Sequence, residues 1–172
     1  MADPRAFHGW YGEPAAWVAV QLPGGPASTL GVVLCTPLGQ DGVVAYRGLR
    51  LLADELGRRG IATVRYDPPG RGDAAPSDDP DAVFEGARSA AAILREAGCS
   101  RIGFVGLSSA ALIASVAAGQ GDVVVLWSPP SSGRQWLRRA RSLGTIMLGP
   151  DRGDDGGESL IGLELTEPQA AA

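Results

Sequence analysis

The sequence contains no lysine and no asparagine, and its single histidine is His8. All fifteen basic residues are therefore arginine, a bias that reads as codon usage in a GC-rich genome rather than as chemistry. Basic clusters are scarce as well. Only Arg134, Arg138, Arg139 and Arg141 stand together, and the net charge is −4. A phosphate-binding surface normally shows as a basic domain, which excludes nucleic acid as a partner. The four arginines read instead as the solvated face of a short helix. Cysteine is almost absent: Cys35 and Cys99 cannot make a disulfide framework, are not spaced for a metal, and are expected as buried thiols. Nothing implies a cofactor. No apolar stretch reaches the length of a membrane span and Met1–Gly12 holds no apolar leader segment, so the expectation is a cytoplasmic protein with no membrane partner.

What is present is an α/β pattern. A chain of 172 residues, 45% hydrophobic, is one domain with enough apolar surface for a core. Strand-like segments run over Trp17–Leu22, Leu30–Thr36, Ile61–Tyr66, Ile102–Leu107 and Val123–Trp127. The continuous apolar runs suit parallel strands covered on both faces. Pro23-Gly24-Gly25 reads as a hairpin-like turn after the first. Between them, Leu49, Leu52, Ala53 and Leu56 form one helical stripe over Tyr46–Arg59, closed by Gly60. Val83, Ala87, Ala90, Ala91 and Leu94 form another, with Asp79-Pro80 as N-cap and first helical residue. The predicted fold is a mostly parallel sheet of about five strands, helices on both faces, with an antiparallel N-terminal edge strand. Residues 1–149 form this core. Residues 150–172 differ: an acidic, glycine-rich loop from Asp151 to Gly157, one further strand over Leu160–Leu165, and a weak tail.

Val105-Gly106-Leu107-Ser108-Ser109-Ala110 carries the chemistry. An apolar strand ends in a serine flanked two residues away by Gly106 and Ala110, and a small-residue helix follows. That is the layout of a nucleophile elbow. The turn leaves no room for bulk two positions either side of the nucleophile, which selects Ser108; for Ser109 the position two before would be Leu107. Such a Ser108 is expected to have φ above zero. Thr36-Pro37-Leu38-Gly39-Gln40, ending the earlier strand, offers one half of an oxyanion hole through the amide of Leu38 or Gly39, and Ser109 offers the other. Yet a serine needs a general base, and no histidine follows His8. His8 itself would have to fold over the strands' carboxyl ends. Asp41, Asp67 and Asp73, placed in loops at that edge, are weak bases. Ser128, where some hydrolases carry an acid, cannot act as one. The expectation is a strained Ser108 with no base within hydrogen-bond reach.

The sequence also carries a rival motif. Gly70-Arg71-Gly72-Asp73-Ala74-Ala75 matches the dinucleotide fingerprint G-x-G-x-x-A. That fingerprint needs a helix starting inside the glycine turn, and here Pro76 and Pro80 intervene.

Taken together, the elbow, the Pro37-Leu38-Gly39 turn and Asp67-x-x-Gly70-x-Gly72-Asp73 resemble the first half of an α/β-hydrolase. More narrowly, Val32 to Gly39, Tyr46 to Ala53, and Val125 to Pro129 with Ser132-Gly133-Arg134 resemble the exosortase A system-associated hydrolases, relatives of the serine aminopeptidase group. The resemblance spans roughly residues 7 to 145. It implies Ser108 at the end of the central strand, then a lid, which Gly157 to Thr166 looks like the beginning of, and later strands bearing an acid and a histidine. Those strands are expected after residue 150, so the chain reads as truncated, degenerate, or one part of a split enzyme.

Three functions follow as expectations. The first is a serine hydrolase-like protein with an incomplete triad, acting on small esters, thioesters or amides. The second is a non-catalytic half-domain whose apolar strand Val123–Trp127 pairs with a second copy or a complementing chain. The third is small-molecule binding without turnover at the strands' carboxyl ends.

Overall fold

The computed structural model describes residues 3–12, 15–149 and 157–165. The acidic loop, apart from Gly157, and the tail after Leu165 lie outside the described residues. Among the described residues eight strands and four helices follow in the order β1 (Arg5–Tyr11), β2 (Ala16–Leu22), β3 (Leu30–Cys35), α1 (Gln40–Arg58), β4 (Ala62–Tyr66), α2 (Ala82–Glu96), β5 (Arg101–Leu107), α3 (Ser109–Ala117), β6 (Val123–Trp127), α4 (Gly133–Leu148), β7 (Glu158–Leu160) and β8 (Leu163–Leu165).

The first six strands make one mixed sheet in the order β1-β2-β4-β3-β5-β6. β4, β3, β5 and β6 run parallel, and β2 joins β4 antiparallel. The parallel pairs are reached through helices, as crossovers require. Alternate residues of β3 feed opposite faces. Val33 and Cys35 pack with Ala87, Ala90, Ala91 and Leu94 of α2 and with Ala110, Ile113 and Ala114 of α3. Val32 and Leu34 pack with Ala53, Leu52 and Leu56 of α1. Cys35 and Cys99 are free and buried. Burial pushes the Cys35 thiol up to about 12, beside a fully buried Tyr66 hydroxyl that has no hydrogen-bond partner of good geometry.

Several sequence expectations shift here. The sheet has an additional strand, β1, formed by the stretch around His8. It pairs antiparallel with β2 from Arg5 opposite Leu22 to Tyr11 opposite Ala16, so β1 and not β2 is the rim. The hairpin joins these two strands, and Pro23-Gly24-Gly25 instead starts the connection to β3. α1 begins at Gln40, a turn and a half before Tyr46. It starts early because Gly39 (φ 65°) turns the chain sharply, and because Gly42 sits where a Cβ would lie 2.3 Å from the Pro37 carbonyl oxygen. Asp79 does not cap α2. Its carboxylate accepts from the amide of Asp81 at 2.9 Å, and Asp81 is the N-cap. The single late strand is a hairpin, β7 and β8, turned at Ile161-Gly162 with Gly162 at φ 68°. Leu160 and Leu163 are buried, and Arg141 of α4 bonds Glu158 at 2.8 Å. Arg134, Arg138 and Arg139 are exposed, the solvated face expected of them.

Candidate active site

β5 passes into α3 through Ser108 alone. Its backbone stands at φ 53° and ψ −126°, a conformation rare for any residue with a side chain. Three restraints hold it. The Ser108 amide donates to the Trp127 carbonyl at the end of β6 (3.0 Å), and the Ser108 carbonyl accepts from Ala111 (3.0 Å). Gly106 lies so close to α3 that a Cβ there would stand 2.2 Å from the Ala110 carbonyl oxygen and 2.6 Å from Ala111 Cα. Ala110, two residues on the other side, is fully buried.

The Ser108 hydroxyl donates to Oδ2 of Asp41 at 2.6 Å. The expectation that no base would reach it is thereby corrected: a carboxylate does. Asp41 lies not in a loop, as the sequence suggests, but in the first turn of α1, where the helix dipole favours a negative charge. Topology closes the gap, since β3 neighbours β5 and the loop after β3 therefore opens beside the turn after β5.

The neighbouring serine has a different task. Ser109 is buried, and its hydroxyl oxygen accepts the Leu38 amide at 2.9 Å. Of the three amides expected to form an oxyanion hole, Leu38 is thus engaged. Those of Gly39 and Ser109 have no hydrogen-bond partner among the described residues. Gly39 also carries the β7–β8 hairpin: a Cβ on it would meet the Ile161 carbonyl oxygen at 3.2 Å, and one on Gly162 would meet Gly39 itself at 3.1 Å.

The remaining candidates lie elsewhere. His8 is exposed on β1, stacked on Trp17 with ring centroids 5.6 Å apart, and three strands separate β1 from β5. It does not approach Ser108. Ser128 follows β6 with φ 51°, sharing with Ser108 a positive φ among the described non-glycine residues. The Gly70–Ala75 stretch is a loop with no helix until Ala82, which removes the dinucleotide reading. Asp67 and Asp73 face each other there: Asp67 Oδ2 accepts the Asp73 amide at 3.1 Å, and burial raises the Asp67 carboxyl above the usual range despite that bond. No group of His, Cys, Asp and Glu among the described residues is arranged to hold a metal. No described helix is long and apolar enough to cross a membrane. Sequence reasoning missed the role of Asp41. The available signal was a carboxylate two residues after Gly39, the position of a helix first turn.

No protein-family profile and no curated protein matches the sequence. Solved structures do match. An α/β serine hydrolase without a lid from Xanthomonas campestris shares 23% identity over 77% of this chain and 64% of that one, with a TM-score of 0.59. An α/β serine hydrolase homologue from Coxiella burnetii shares 21% over 81% and 69%, at 0.58. A thermostable carboxyl esterase from Bacillus coagulans shares 16% over 91% and 54%, at 0.58. Strand order, the antiparallel entry through β2 and these likenesses define the class: the chain has the α/β-hydrolase fold. It spans 54% to 69% of the length of these three structures.

Proposed function

We propose that this chain is the nucleophile-bearing part of a serine hydrolase, with Ser108 as nucleophile of an elbow and small esters, thioesters or amides as substrates. One observation carries the reading: a serine held at positive φ between strand and helix, with its hydroxyl bonded to Asp41 at 2.6 Å. Strain of this kind costs about 1–3 kcal/mol and persists where the surroundings over-determine it. The Asp41 carboxylate fixes the direction of the hydroxyl and accepts its hydrogen, but a carboxylate is a poor proton acceptor for an alcohol. The amides of Ser109 and Gly39 would stabilise the developing oxyanion. Such a site turns over slowly, because the only imidazole in the chain is His8. A fluorophosphonate probe tests this. Slow labelling of the wild type is expected, slower in Asp41→Asn and absent in Ser108→Ala. Wild-type labelling no greater than that of Ser108→Ala would reject catalytic competence.

A second reading is favoured by β6. All five residues of Val123–Trp127 are exposed, from 37% at Val124 to 58% at Trp127, although every one is apolar. β6 pairs with β5 on one side and has no strand on the other among the described residues. An apolar edge of that kind templates pairing with another chain. In this reading the protein is a half-domain that associates, with a second copy or with a chain supplying the missing imidazole. Light scattering after size exclusion discriminates: association abolished by Val124→Lys with Leu126→Lys supports it, and a monomer indifferent to a co-encoded protein rejects it.

A further inference from the structure

A cavity of about 480 Å³ opens at the carboxyl ends of β3 and β4, between the start of α1, the loop after β4 and the tip of the β7–β8 hairpin. Its size falls in the range of small-ligand pockets. Ser108, Ser109 and Asp41 do not line it, whereas Gly39, whose amide is proposed above as an oxyanion donor, does. Its apolar wall is Trp17, Val43 and Tyr46, and both rings are braced from behind: Trp17 stacks on His8, and Tyr46 covers the guanidinium of Arg65 at 5.3 Å.

The charged groups in its wall are Arg71, Asp67 and Asp73. Arg71 is half-buried and makes no ion pair among the described residues. Its Nε is shut off from water and has no hydrogen-bond partner. Burial pulls the guanidinium below its ordinary range, and Glu164 on β8 is the group that offsets this. A guanidinium Nε shut off from water without an acceptor is costly, and Glu164 offsets the burial only through its charge, so a side chain kept in this state beside a cavity points to an acceptor that arrives with a ligand. The two carboxylates narrow the choice. Asp67 Oδ2 is engaged by the Asp73 amide, and a second or third negative charge on the ligand would meet both residues. A polyphosphate is therefore disfavoured, and one carboxylate matches the guanidinium fork.

We infer that this cavity is a binding site for a small monocarboxylate with an apolar, preferably aromatic, body, its charge on Arg71 and its body against Trp17, Val43 and Tyr46. The site borders the proposed oxyanion donor Gly39, but the binding inference does not need Ser108 and is tested without it. The Ser108→Ala protein is titrated at neutral pH with phenylacetate, and separately with phenylacetamide, following backbone amide shifts by NMR. Saturable shifts at Tyr46, Arg71 and Gly72 are expected with the acid, with the amide binding at least about tenfold more weakly, the equivalent of one charge-assisted hydrogen bond. Arg71→Gln should bring the acid down to the level of the amide. Equal affinity for acid and amide overturns the inference, a comparison that needs no variant at position 71. So does the absence of saturable shifts at millimolar phenylacetate, or shifts confined to β6.

Discussion

Replacing Gly106 with alanine adds only one methyl group and should still destabilise the fold. The added Cβ would stand 2.2 Å from the Ala110 carbonyl oxygen, 2.5 Å from its carbon and 2.6 Å from Ala111 Cα. All three are backbone atoms of α3, and no rotamer can swing them away. Relief requires α3 to lift from β5, where Ala110, Ile113 and Ala114 are packed to near-zero exposure. Overpacking a core costs about 1–3 kcal/mol, and an immovable neighbour puts this site near about 3. Against that, alanine restricts the unfolded chain and returns about 0.4–1 kcal/mol. The net expectation is a loss of about 2 kcal/mol, or about 4–8 °C in Tm for a chain of this size. Gly103 supplies the control on the same strand. A Cβ there would first meet Val32 Cγ2 at 3.6 Å, an ordinary contact, so Gly103→Ala should stay within about 1 kcal/mol of wild type. Urea unfolding followed by circular dichroism, with midpoints compared at equal m, measures both. If Gly106→Ala is no less stable than Gly103→Ala, the close approach of strand and helix at this turn is wrong, and with it the geometry that singles out Ser108.

Two further outcomes follow from the same turn and core. Ser108→Gly should be more stable than Ser108→Ala by about 1 kcal/mol in the same unfolding assay, because only glycine relaxes at φ 53°; the reverse order would mean the backbone there is unstrained. The Cys35 thiol, pushed up to about 12 by burial, stays protonated at pH 8, and Cys99 is also buried and raised. Ellman's reagent should therefore find no fast-reacting thiol in the native protein and two after denaturation, and rapid native reaction at Cys35 would contradict the packing of β3 against α2 and α3.

How much of this was readable depended on burial. β3, β4 and β5 lie under helices on both faces and announce themselves as unbroken apolar runs. β1 does not. Arg5–Tyr11 is mostly exposed on a rim, so no alternating pattern marks it, and its partner is chosen by pairing with β2 rather than by a core. The start of α1 was hidden for the opposite reason: Val43 and Val44 are about three-quarters exposed, so the first turns of the helix carry no stripe. Ser108 was legible because its turn imposes small neighbours two positions either side. Its partner Asp41 was not, since 67 residues of sequence separate them and only the placing of β3 next to β5 brings the hydroxyl to the carboxylate. Arg71 escaped notice because nothing in a glycine-rich loop foretells that an arginine will turn inward.

The hydrogen bond from the Ser108 amide to the Trp127 carbonyl joins a residue held at positive φ to a strand whose every residue is exposed. β6 is thus one wall of the turn as well as a rim of the sheet. A chain that zipped onto that rim would damp the motion of Trp127, and through this bond the backbone of Ser108. By linkage the influence runs both ways: a group attached to the serine would change the hold of β6 on whatever binds beside it. The pairing state of the rim and the backbone of the turn are therefore coupled through a single hydrogen bond.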